Sequence, residues 1–165
     1  MFDGLTNFGV TRYAFDNKLC QLTRFNPRDF TTDSYHRIDD KSFGGGPGMV
    51  MKIEPLELAM GAAISSQSES GVNKPLRIYL SPQGQVVNQD IVNRLTTESG
   101  IILVCGRYEG VDERFIQSNI DLELSIGDFV VSGGELPAML LMDGIIRHIP
   151  GVLNSQESAT NDSFM

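Results

Sequence analysis

Residues 125–139 read SIGDFVVSGGELPAM, and their reading decides the fold. Gly127, Asp128, the pair Gly133-Gly134, Glu135 and Pro137 surround one short apolar run, Phe129-Val130-Val131. Glycine is costly inside helices and strands, and it is used where the backbone turns or comes close to another group. Upstream lies an apolar strand pattern, Leu122 to Ile126, and downstream a mainly apolar helix pattern, Glu135 to Ile149, stopped by Pro150. A bent backbone between a strand and a helix is well suited to hold a small ligand.

Working outward, the same strand–loop–helix arrangement recurs. Ile101-Ile102-Leu103-Val104-Cys105 is the clearest buried strand, and it ends in Gly106-Arg107-Tyr108-Glu109-Gly110 before a helix over Val111 to Asn119. Arg77 to Leu80 predicts a short strand ending in Ser81-Pro82-Gln83-Gly84, and Asn88 caps a helix bearing Ile91, Val92 and Leu95. Pro55 fits the first turn of a helix with Leu56, Met60, Ala63 and Ile64 on one face, followed by a polar linker, Ser65 to Asn73. Further upstream, Gly9 to Lys18 predicts a helix, Leu19 to Phe25 alternates like a strand, and Arg28 to Met51 reads as a long irregular stretch. Strands alternating with helices predict an α/β fold, a mostly parallel sheet with helices on both faces. In such sheets ligands sit beyond the carboxyl ends of strands. The three loops after Leu80, Cys105 and Ile126 are therefore expected to converge on one site.

Composition bounds the function. The 165 residues suit one domain, and 41% hydrophobic with 21% charged residues is ordinary globular composition. No apolar run approaches the ~18 residues of a membrane span, and the N-terminus shows no signal-peptide pattern. Cys20 and Cys105 lie far apart, as reduced thiols of a cytoplasmic protein would, and the isolated His36 and His148 argue against a metal cluster. Net charge is −8, unevenly spread: residues 1–52 carry seven Lys/Arg against six Asp/Glu, residues 100–165 three against ten. The chain as a whole lacks the basic footprint of a nucleic-acid binder, so any RNA contact needs a local patch, a dimer surface or a part outside these residues.

Several single residues admit two readings. The run Gly44-Gly45-Gly46-Pro47-Gly48 is either a flexible loop or a backbone cradle, and it lacks the features of a P-loop or dinucleotide fingerprint. Asp112 and Glu113 suit a helix start, whereas Glu109, in the loop after the buried strand, can face a cationic ligand. Arg147 is either a surface arginine paired with Asp143 four residues earlier or a fixed cation beside developing negative charge. Asp162, on these grounds alone, is a residue of a polar tail.

Six motifs, FGGGPGM (43–49), YLSPQG (79–84), LVCGRYEGVDER (103–114), SIGDFVVSGGELPAM (125–139), RHIPGVL (147–153) and ESATNDSF (157–164), together resemble bacterial tRNA (guanine-N1-)-methyltransferases of the SPOUT class, over essentially the whole chain. The resemblance implies a sheet threaded into a deep trefoil knot, rare among proteins. It implies S-adenosylmethionine bent within the knot, held by positions matching Tyr79, Leu80, Ser81, Pro82, Gly106, Tyr108, Glu109, Ile126, Gly127, Asp128, Phe129, Val130, Val131, Gly133, Gly134 and Pro137. It implies methyl transfer to N1 of the guanosine 3′-adjacent to the anticodon of tRNA, with Asp162 as general base, Arg147 as the cation near O6, and scope for a magnesium ion to assist. It also implies a homodimer whose active site spans both chains. Residues 1–153 would form the cofactor-binding domain and residues 154–165 an interdomain linker, with the family's first strand and its C-terminal tRNA-binding domain not represented. The alternative is a non-catalytic fragment that binds cofactor and dimerises.

Overall fold

The computed structural model describes residues 1–42 and 44–153. Three parallel strands, β3 (Leu76–Val86), β4 (Ile101–Cys105) and β5 (Leu122–Ser125), form a sheet in the order β4-β3-β5. A separate antiparallel hairpin joins β1 (Asp39–Lys41) and β2 (Met49–Met51). Six helices accompany them: α1 (Asp3–Thr6), α2 (Gly9–Asp16), α3 (Ile53–Glu69), α4 (Gln89–Thr96), α5 (Glu113–Asn119) and α6 (Glu135–Ile146). Among the described residues no helix is long and apolar enough to cross a membrane.

The period-two alternation of strand side chains divides the core between the two faces. Tyr79, Ile102 and Val104 pack with Leu56 and Met60 of α3 and Phe115 of α5. Ile78, Leu80, Leu103 and Leu124 pack with Ile91, Val92 and Leu95 of α4 and Ala138 and Leu141 of α6. A third cluster, Leu5, Ala14, Ile146 and Val152, ties α1 and α2 to the end of α6. The sheet is thus covered on both faces, as its apolar strands require. A cleft of about 810 Å³ runs along β4 between α3 and α6, and none of the residues expected to hold a cofactor lines it.

The structure corrects several sequence expectations. Leu19 to Phe25 forms no strand, because alternation supplies one apolar face but no partner edge. The stretch 28–51 is less irregular than expected: it holds a 3-10 turn, Pro27–Phe30, and the β1–β2 hairpin. The expected linker from Ser65 is helical as far as Glu69, where Gln67 Nε2 donates to the Ile101 carbonyl at 2.9 Å and holds the last turn of α3 against β4. Ser81–Gly84 does not end its strand. Leu80 and Gln85 both pair with Leu124, so these four residues bulge out while β3 continues to Val86. Gly84 permits the bulge, since a Cβ there would lie 2.6 Å from the Glu123 carbonyl carbon and the Leu124 nitrogen. Two helix starts conform: Asn88 Oδ1 accepts from the Ile91 amide at 3.0 Å, and Asp112 Oδ1 accepts from the Arg114 amide at 3.0 Å.

A forked ion pair joins the start of β3 to the turn before β5. Arg77 donates from Nη2 to Asp121 Oδ1 at 2.6 Å and from Nε to Asp121 Oδ2 at 2.9 Å, while its amide also donates to Oδ2 at 2.9 Å. The bonds from the Arg77 side chain, chiefly, hold the Asp121 carboxyl below its ordinary range. A depressed folded-state pKa contributes stability that is present above the unfolded value, ~3.9, and lost as pH falls through the folded value. Asp121→Asn is expected to cost about 1 kcal/mol at pH 7 in urea unfolding. Its deficit against the unsubstituted chain should shrink as pH falls below about 4 and close only below the depressed folded-state value, where both side chains are neutral.

Candidate functional site

The loops after β4 and β5 meet in close backbone contact. The Gly134 amide donates to the Gly106 carbonyl at 2.9 Å. A Cβ on Gly134 would lie 2.7 Å from Cys105 Cα and 2.9 Å from the Gly106 nitrogen, so only glycine allows this approach. Beside it, Arg107 Nε donates to Glu135 Oε1 at 2.9 Å, a partly buried pair linking the first loop to the first turn of α6. A Cβ on Gly133 would run into both side chains. From below, the Tyr79 hydroxyl closes on Gly106, 2.9 Å from where a Cβ would stand.

The bulge Ser81–Gly84 shares β5 with the second loop. Leu80 pairs with Leu124, Ser125 is buried, and its Oγ donates to the Gly127 carbonyl at 2.8 Å. Gly127, at φ +154°, turns the chain so that Phe129 folds back over it. The Phe129 and Val130 side chains stay exposed, Val130 at 82%, while Pro137 is buried in α6. Tyr79, Gly106, Gly133, Gly134 and Pro137 thus cluster, with Ser81, Pro82, Ile126, Asp128 and Val131 on the adjoining backbone.

The end of the glycine run reaches this site. Glu109 donates its amide to the Met49 carbonyl at 3.0 Å, and Met51 donates to the Gly110 carbonyl at 2.9 Å. Gly48, at φ +98°, lies against the Glu109 side chain, which occupies the space of a Cβ there. Of the run, Gly48 therefore packs on Glu109, whereas a Cβ on Gly44 or Gly45 would meet nothing within 4 Å. Tyr108 is held in the left-handed region, φ +59°, where non-glycine residues are uncommon.

The electrostatics argue against a covalent role for Cys105. Burial, chiefly, pushes its thiol up to about 12, with the Glu135 carboxylate adding and Arg107 opposing. Such a thiol stays protonated and unreactive at neutral pH. Burial likewise raises Tyr79 and Glu123 above their ordinary values.

Arg147 and the Gly133-Gly134 pair stand at opposite ends of α6. Arg147 caps the C-terminal end, whereas Gly134 caps the N-terminal end, a separation of roughly 20 Å along the helix. Asp162 lies outside the described residues. Sequence reasoning missed the Arg107–Glu135 pair, although its signal was present: opposite charges in two neighbouring loop motifs. It also missed the contact of Tyr108 with Arg28, whose sequence separation hides it.

A family described as "tRNA (Guanine-1)-methyltransferase TrmD" matches residues 1–165. A "tRNA (guanine-N(1)-)-methyltransferase" of Janthinobacterium sp. (strain Marseille) is 54% identical over 165 residues, covering 100% of this chain and 66% of that protein. One of the same name from Herminiimonas arsenicoxydans is 52% identical with the same coverage. The crystal structure of a "tRNA (m1G37) methyltransferase from Aquifex aeolicus" superposes with a TM-score of 0.80 at 35% identity, covering 92% of this chain and 66% of that one. The chain spans just under two thirds of the length of these relatives.

The Gly134 contact is with backbone atoms that cannot swing aside. Gly134→Ala is expected to lose about 1–3 kcal/mol of stability in urea unfolding. Gly61→Ala, at an exposed position in α3 with nothing within 4 Å of the new methyl, should instead be neutral or gain up to about 1 kcal/mol.

Proposed function

Because the chain belongs to the tRNA (Guanine-1)-methyltransferase TrmD family, we propose that it is the methyl-donor-binding portion of an enzyme that methylates N1 of the guanosine 3′-adjacent to the anticodon of tRNA. One observation carries this reading. The loops 106–110 and 127–134 close on each other through glycine backbone, in a chain that matches the family from end to end.

The residues fit S-adenosylmethionine. Glycines, having no Cβ, let an adenosyl group approach the backbone closely. Tyr108 and Phe129 expose aromatic rings beside the loops, and the Glu109 carboxylate suits the donor's positive charge. When bound, the donor supplies a methyl group on a positively charged sulfur. Tyr79, Leu80, Ser81 and Pro82 supply one wall, Gly106, Tyr108 and Glu109 a second, and Ile126 to Val131 with Gly133, Gly134 and Pro137 the third. The tight passage of Gly134 beneath Gly106 supports the knotted threading.

The chemistry asks two things of the protein. Guanine N1 carries a proton and is a weak nucleophile until that proton leaves. Asp162 takes the proton as the nitrogen–carbon bond forms and the sulfur–carbon bond breaks, leaving a neutral thioether. Arg147 stabilises the negative charge that builds on O6. Among the described residues no group of three or more His, Cys, Asp or Glu side chains could hold a metal ion, and no step requires magnesium here.

Arg147 stands at the far end of α6 from the donor loops, which favours an active site shared between two copies. The exposed, apolar Leu136 and Leu140, one turn apart on α6, and the exposed Phe129 and Val130 supply a face for that homodimer. A tRNA substrate supports a cytoplasmic location. Since the chain spans just under two thirds of its relatives, a second reading is that these 165 residues bind cofactor and dimerise without transferring methyl.

Calorimetric titration of the chain with S-adenosylmethionine is expected to give saturable binding, and silence at millimolar cofactor would sink the proposal. In a chain extended to the relatives' length, Asp162→Ala should abolish methyl transfer to tRNA carrying that guanosine while leaving cofactor affinity within about twofold. Survival of transfer would remove Asp162 from the role of base.

A further inference from the structure

We propose that Arg28 is a positioning residue of the cofactor site, acting through Tyr108. This rests on the reading that the Gly106–Gly110 loop holds S-adenosylmethionine. Arg28 lies in the 3-10 turn Pro27–Phe30, eighty residues from Tyr108 in sequence. Its guanidinium spans two segments: Nη2 donates to the Tyr108 hydroxyl at 2.9 Å, and Nη1 donates to the His36 carbonyl at 2.9 Å.

Both contacts land on residues in the left-handed region without being glycine, His36 at φ +50° and Tyr108 at φ +59°. Such a backbone persists only where its surroundings over-determine it. At His36 those surroundings are visible. Asp33 accepts the amides of Tyr35 and Arg37 at 2.7 and 2.8 Å, which wraps the turn and aims the His36 carbonyl at Arg28. The His36 Nδ1 lies 3.1 Å from both the Arg28 carbonyl and Thr31 Oγ1. The guanidinium is therefore anchored on one side and reaches the tyrosine on the other.

Tyr108 is half-exposed, so packing alone does not set its ring. The planar fork of arginine does, by offering two donors at a fixed angle. Tyr108 directly precedes Glu109, so the tyrosine's orientation also directs the peptide and carboxylate that face the donor's charge. Gly48 and Met49 hold Glu109 from the same N-terminal region. Segment 27–51 thus acts as a clamp on the loop, with Arg28 as the contact that sets the aromatic ring.

The test is a double-mutant cycle on cofactor affinity. The 165-residue chain, Arg28→Met, Arg28→Lys, Tyr108→Phe and the double variant Arg28→Met with Tyr108→Phe are titrated calorimetrically with S-adenosylmethionine, and thermal melts are recorded alongside. Arg28→Met and Tyr108→Phe should each weaken binding by about two- to tenfold. The double variant should bind no more weakly than the worse single one, and Arg28→Lys should recover part of the loss. A general loss of structure would not produce this non-additivity. If Arg28→Met melts below the titration temperature, Arg28→Lys carries the test: it should weaken binding in the native background and have no effect in the Tyr108→Phe background. Unchanged affinity in Arg28→Met, or losses that multiply in the double variant, would overturn the proposal. No binding by the unsubstituted chain would instead overturn the cofactor reading on which it stands.

Discussion

The approach of Gly134 to the end of β4 is the constraint on which the rest of the site depends. Two stretches of backbone, separated by nearly thirty residues of chain, pass so closely that a methyl group would sit 2.7 Å from Cys105 Cα. That contact sets where α6 begins. From there α6 lays Ala138 and Leu141 on the sheet face shared with α4. It also leaves Leu136 and Leu140 outward and exposed. The Arg107–Glu135 pair then ties the two loops laterally. Hydrogen bonding, an ion pair and steric exclusion thus act on the same few residues, which is how a loop site reaches the rigidity a ligand pocket needs.

The loop after β4, Gly106 to Gly110, is held from the opposite direction. Its backbone bonds to β2 through Met49 and Met51, its glutamate packs on Gly48, and its tyrosine bonds to Arg28. Among the described residues the N-terminal third of the chain contributes no strand to the parallel sheet, yet it contacts two consecutive residues of the candidate pocket. The candidate pocket is thus held by parts of the chain remote in sequence.

Much of this was legible in the sequence where the deciding physics is local. Ile101–Cys105 is a run of apolar, mostly β-branched residues, and the strand has those bounds. Asn88 and Asp112 cap helices because their short side chains reach an amide two or three residues on. The glycines of 125–139 announced a bent backbone. Other expectations failed where the outcome depends on a distant partner. Leu19 to Phe25 alternates correctly and still forms no strand, since a strand exists only beside another. Ser65 to Glu69 is polar and still helical, because Gln67 finds the Ile101 carbonyl. Ser81–Gly84 reads as a strand end, yet β5 continues to pair beyond it.

By itself, then, the sequence determined the class of fold, the order of its elements and the three loops with unusual chemistry. Hydrophobic period, capping and glycine placement are properties of neighbouring residues. Only the tertiary structure decided which loops touch. It put Gly48 on Glu109, Arg28 on Tyr108 and Gly134 under Gly106, and it left Arg147 at the far end of its helix. Those pairings depend on how strands align and where helices cross, so their geometry is a property of the packed chain, and no window of sequence contains it.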